Sequence, residues 1–213
     1  MSELSDAIKA GDATKVVALV DADPALAESS ENGVRPVLLA LYYGKPELAQ
    51  ILAARTALTF AEACAMGDSA RVEALLAADP SLLNARTEDG FPPLGLAIFF
   101  GQGALARALI ERGADVNAAA HNAQRVAPLH AAAAVQDRAT IELLLARGAD
   151  PNATQQMDYT PLHGAASRGD IEIATLLLAH GADRHAKGSD GATPADVAAK
   201  YGHPEFAEWI ARV

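Results

Sequence analysis

Cys64 and six histidines are the side chains of this 213-residue chain best suited to nucleophilic, acid–base or metal chemistry. A cysteine nucleophile needs a histidine base beside it, and zinc needs ligands at characteristic spacings. His180 and His185 flank one turn and His203 follows in the next segment, but their spacing matches no standard zinc pattern. The chain has no Gly-rich phosphate loop, no His-Glu-x-x-His and no Gly-x-Ser-x-Gly. The sequence therefore predicts no enzyme, no catalytic residue, no cofactor and no metal. The rival enzymatic reading would centre on Cys64 or the C-terminal histidines.

What surrounds these residues is ordinary for a water-soluble protein. The chain is 51% hydrophobic but only 5% aromatic, which suits closely stacked small helices better than a β-sandwich. Its net charge is −10, so phosphate backbones repel it and nucleic acid is not an expected partner. A single cysteine forbids an intrachain disulfide and fits a reducing compartment. Met1 to Asp6 carries neither a basic nor an apolar leader region. No apolar run approaches the ~18 residues of a membrane span. A cytoplasmic protein with no membrane partner is expected.

The elements that would position a site come from a recurring phrase. Thr160-Pro161-Leu162-His163 opens a segment running through Gly169-Asp170 and Leu176-Leu177-Leu178 to Gly181-Ala182-Asp183. The same order runs from Pro128-Leu129-His130 to Gly148-Ala149-Asp150; a third copy ends at Gly113-Ala114-Asp115 and a last one starts at Thr193-Pro194. Pro93, Pro128, Pro161 and Pro194 lie 35, 33 and 33 residues apart. In Thr160-Pro161, Thr suits the N-cap and Pro the first helical position, and Gly169 stops the helix by turning left-handed. A second helix, 171–179, puts Ile173, Leu176 and Leu177 on one face.

This pattern resembles the ankyrin repeat, whose period is about 33 residues. The resemblance implies an all-α repeat solenoid of about seven helix–turn–helix units with irregular caps and short β-hairpin loops between most of them. One domain, 1–213, would hold units at about 3–28, 29–55, 57–86, 87–118, 119–153, 154–186 and 187–213. The first-helix stops are Gly11, Gly44, Gly67, Gly101, Gly169 and Gly202, with Gln136 standing in once. Trp209 is expected to cover the end of the core. Between Gly44 and Gly67 only 23 residues remain, which leaves Ala54 to Leu58 no room for a hairpin. Gly11-Asp12 pairs with Gly67-Asp68 and Tyr42-Tyr43-Gly44 with Phe99-Phe100-Gly101, so the N-terminal half reads as a duplicated doublet. That layout looks like uncharacterised bacterial ankyrin-repeat proteins. Arg35, Pro92 and Ala127 replace the Thr cap, and Leu38, Gly95 and Asp196 replace the motif histidine. The stretch 118–127 is two residues longer than its regular counterpart, which predicts a displaced hairpin.

Carried onto this chain, the family's mode of binding points to the concave groove of the first helices and to the hairpin tips. His130 and His163 would brace hairpins, and Cys64 would replace a small buried alanine. The residues before each stop glycine give Tyr42, Tyr43, Met66, Phe99, Phe100, Val135, Arg168 and Tyr201 as candidate contacts, and the tips add Phe91, Met157 and Tyr159. Large side chains on a rigid surface are usual interface anchors; packing between units is the competing role for one ring of each pair. The expected partner is a protein, neutral to basic, bound by a monomer. Alternatives are an inhibitor or immunity-type protein for a basic toxin, and a homodimer or other homo-oligomeric structural protein with the aromatic column buried.

Overall fold

A proline at the first helical position and a left-handed residue just past the last turn frame five of the short helices, because one pre-sets φ and the other ends the hydrogen-bond ladder. The computed structural model describes residues 2–213. They form seven helix pairs: α1 (Glu3–Ala10) with α2 (Ala13–Ala22), α3 (Pro36–Tyr42) with α4 (Pro46–Ala53), and α5 (Phe60–Met66) with α6 (Ser69–Ala78). These continue as α7 (Pro93–Phe99) with α8 (Gly103–Glu111), and α9 (Pro128–Ala134) with α10 (Arg138–Ala146). The last two are α11 (Pro161–Ser167) with α12 (Ile171–Ala179), and α13 (Pro194–Lys200) with α14 (Pro204–Ile210). Each first helix packs on the first helix of the next pair, from α1 through α13, so the molecule is an all-α repeat solenoid.

The turn inside each pair is a two-residue device. Gln136 adopts φ +57 where the other six units have glycine, so a β-carbon is carried in the left-handed region there. The next residue caps the second helix in four pairs: Asp12, Asp68, Asp137 and Asp170 accept from the N–H groups of Lys15, Arg71, Thr140 and Ile173 at 2.9–3.1 Å. At the start of the first helices, Arg35, Pro92 and Ala127 make no side-chain cap bond, whereas Thr59 and Thr193 form capping boxes with Glu62 and Asp196.

The loops between pairs correct one expectation. No strand exists among the described residues, and β pairing is confined to an isolated bridge, Glu31–Val34. Three of the loops are tight turns closed by a backbone bond, Thr87 N–H to Phe91 C=O, Gln155 to Tyr159 and Gly188 to Ala192, each at 3.0 Å. Neighbouring tips share one backbone bond each: His121 N–H to Gly90 C=O, Gln156 to Gln124 and Ser189 to Met157. Single bonds of this kind are too few to build a ladder. The longer loop closes from Ala120 to Val126, over two more residues than the others.

Apolar burial falls into two bodies. Leu4, Ile8, Val16, Val20, Val37, Leu48 and Leu52 fill the first two pairs. A larger core runs from Phe60 and Val72 through Leu109, Ile141, Leu144, Leu162 and Leu177 to Phe206 and Ile210. Trp209 packs edge-on against Phe206 at 5.4 Å and closes the far end. Cys64 is wholly buried, and burial pushes its thiol up to about 12; a thiol so protected is no nucleophile at neutral pH.

Candidate binding groove

A bridging patch of side chains lies where the two bodies meet. Leu38, Ala61, Ala65 and Leu96 are buried, and Tyr42, Phe91 and Phe100 pack over them. Tyr42 stacks on Phe100 with centroids 5.8 Å apart and leans on Phe91 at 6.0 Å. Its hydroxyl donates to Asp89 Oδ2 at 2.9 Å. Burial, reinforced by the carboxylate, raises the phenol well above its usual range. Phe99 meets Phe100 edge-on at 5.1 Å and is 55% exposed.

Beside this patch the first helices and the loop tips enclose a cavity of about 480 Å³. Tyr42, Phe91, Phe99, Met157 and Tyr159 line it with Gly95, Leu96, Gln124, Val126, Ala131, Gln155 and Gln156. Such a volume, mostly apolar with a few polar groups, is typical of ligand sites. Gly95 on its wall stands where two later units carry a histidine. At the equivalent position in later units His130 Nε2 bonds Tyr159 C=O and His163 Nε2 bonds Ala192 C=O, each at 3.1 Å, bracing the following loop. Gly95 supplies no such brace, and Pro92 Cγ lies 3.2 Å from where its β-carbon would stand.

Five of the eleven sequence candidates thus meet on one wall. The others lie elsewhere: Phe100 sits behind the wall, half-buried, and Met66 packs half-buried against the N-terminal core. Tyr43 is 49% exposed with the Lys9 ammonium 5.7 Å from its ring, and Tyr201 is 59% exposed with Lys200 at 5.9 Å. Val135 and Arg168 are exposed and off the cavity. The paired positions do not keep a constant direction either. The second ring is outermost in Tyr42-Tyr43, the first in Phe99-Phe100. Gly95, Leu96, Val126, Ala131 and Gln155 escaped the sequence reading; the motif histidine missing at Gly95 was the available signal.

Met157 is unusual in its backbone. It and Asp158 hold φ +65 and +55, a turn that normally takes Asn-Gly. Two non-glycine residues there cost about 1–3 kcal/mol each, a strain that clusters at functional sites. The turn presents the Met157 side chain 49% exposed. Tyr159, one residue beyond this pair, stacks flat on the His163 ring at 4.7 Å and donates to Asp190 Oδ2 at 2.9 Å.

A second cavity, about 500 Å³, lies where the 54–59 connection has no turn to fill it. Arg35, Thr59, Glu28 and Glu88 line it, and Arg35 pairs at 3.2 Å with the fully buried Glu62. Its charges are largely engaged within the chain, so the apolar cavity is the better binding candidate. Among the described residues no group of three His, Cys, Asp or Glu could hold a metal ion, and no helix is long and apolar enough to cross a membrane.

Comparison with protein families finds ankyrin repeats, three copies, over residues 60–155 and 129–212. The chain belongs to the ankyrin-repeat family. The match spans α5 to α14, so α1 to α4 are ankyrin-like helix pairs outside it. No curated protein matches the chain. Ankyrin repeats are in general protein–protein interaction modules and are typically non-catalytic.

Proposed function

We propose that this protein is a non-catalytic binding module that grips a protein partner through the groove of its first helices and the adjoining loop tips. The observation that carries this reading is the 480 Å³ cavity, walled by Tyr42, Phe91, Phe99, Met157 and Tyr159. Rigid aromatics beside a concavity are the usual anchors of an interface. A strained Met157 tip adds a flexible apolar contact. The net charge of −10 favours a neutral or basic partner and faster association at low salt. Co-purification of the wild type and a Phe99→Asp, Met157→Asp variant tests the reading. A stoichiometric partner should be held by the wild type and lost by the variant. Equal retention by both, or no partner under several salt conditions, would overturn it.

A further inference from the structure

We propose that the groove takes a basic side chain, an arginine or lysine carried on an extended segment of the partner. The inference rests on the binding reading above and names the chemistry that the site would recognise. Tyr42, Phe91, Phe99 and Tyr159 place four aromatic rings around one cavity, and aromatic rings attract cations through their quadrupole while their carbon frames cover an aliphatic stem. Both tyrosines donate their hydroxyls to carboxylates, Tyr42 to Asp89 and Tyr159 to Asp190, each at 2.9 Å. A phenol that donates to a carboxylate gains electron density on its ring, which strengthens its pull on a cation.

The charges behind the wall complete the case. Asp89 and Asp190 form no ion pair among the described residues, and Asp89 Oδ1 is buried with no hydrogen-bond partner. Lys200 acts on Asp190 from a distance without pairing with it. The cation at the rim, Arg125, is already taken: it bonds Asp158 at 3.0 Å and Gln155 C=O at 3.0 Å. Both carboxylates stand behind the ring wall, where Asp190 also accepts from Ala192 N–H at 3.1 Å, so a partner's basic group feels their charge through the tyrosines and meets no positive side chain on the cavity wall. An anionic or purely aliphatic side chain would leave them uncompensated. The extended backbone follows from Gln124, Gln155 and Gln156, which line the cavity and whose side-chain amides make no hydrogen bond within the described chain. Each amide offers both a donor and an acceptor, the pairing that main-chain peptide groups require.

The test is a displayed library of random linear dodecapeptides, panned on the wild-type protein and counter-selected on Phe99→Asp. Phe99 is 55% exposed, so the variant should keep its fold, verified by its circular-dichroism melt. The expected result is enrichment of peptides with a central Arg or Lys flanked by uncharged residues. Their affinity should fall about tenfold on replacing that residue by norleucine, and again in Asp89→Asn, which retains an acceptor for the Tyr42 hydroxyl. Asp190→Asn provides a second variant should Asp89→Asn melt early. Enrichment of Phe99-dependent peptides without a basic residue would overturn this inference and leave the binding groove standing. Failure to enrich any Phe99-dependent peptide would overturn both.

Discussion

Acidification should loosen this protein well before its carboxylates protonate. His130 is 5% exposed in the middle of the stack, donating from Nε2 to Tyr159 C=O, while its Nδ1 is buried without a partner. Burial lowers its pKa from the ordinary 6.5 to about 4, and burial pushes His163 in the same direction. The folded state therefore resists a proton that the unfolded chain accepts. Stability is complete above the unfolded value of 6.5 and drains as pH falls toward the folded value. At 1.36 kcal/mol per unit, His130 alone removes about 2 kcal/mol by pH 5. For a chain of this length that lowers the melting temperature by about 4–8 °C. The depressed carboxylates, Glu31 at about 2 and Asp79, Asp190 and Asp196 below their usual range, lose their contribution only below pH ~4.5, so the interval from pH 7 to 5 belongs to the histidines. Thermal melts followed by circular dichroism at pH 7, 6 and 5 measure the effect. His130→Gln keeps a donor near the Nε2 position and should flatten most of the slope. A wild-type profile already flat over that interval, or an equal slope in the variant, would refute the reasoning.

Further changes follow from the same contacts. Ala127→Thr should supply the cap and the hydroxyl that Thr160 gives His163 at 2.9 Å, raising stability by about 1 kcal/mol in a urea melt; a loss would mean that the buried site has no room. Tyr43→Ala with Phe99→Ala removes two exposed rings and should cost about 1 kcal/mol in total. Tyr42→Ala with Phe100→Ala opens the bridging patch and strands Asp89, for about 3 kcal/mol or more; similar urea midpoints for the two double variants would remove the distinction between outer and inner rings. Arg35→Met leaves Glu62 buried without its cation, for about 3 kcal/mol, and adding Glu62→Gln should restore most of it. Lack of any recovery in the double variant would show that the pair is not the cause.

The period was legible because each unit repeats its own stops and starts. Pro161, Gly169 and Asp170 act through local backbone geometry, which sequence carries directly. Even the odd Gln136 could be placed, since its neighbours fixed where a left-handed residue had to fall. The groove was less legible. Tyr42 and Phe99 occupy the same slot of successive doublets, yet one turns inward and the other outward. That choice is set by the loop tip above, where Asp89 and Phe91 hold Tyr42 down, and such contacts join residues 47 and 49 positions apart. The hairpins stop short of strands because tips joined by one backbone bond each keep the family's outline without a ladder. The histidine missing at Gly95 is an absence, which a list of candidate side chains does not reveal.

The missing turn at 54–59 has a consequence for the groove. Units of a solenoid touch only their neighbours, so a weak junction divides the stack. Here the apolar core divides at that junction, with Leu58 packing on both bodies and Met66 on the N-terminal one. What else crosses is the Arg35–Glu62 pair, the Ser30 hydroxyl on Glu88 at 3.0 Å, and the aromatic patch. Tyr42 belongs to the N-terminal body but reaches Phe91, Phe100 and Asp89 of the other, and the same ring walls the cavity. Undocking the first two pairs would strip that wall away. A partner seated in the groove touches both bodies and must stabilise their junction by RT ln(1 + [L]/Kd). Linkage makes the effect reciprocal, so substitutions that weaken the junction must also weaken binding, even at Arg35, which does not line the groove.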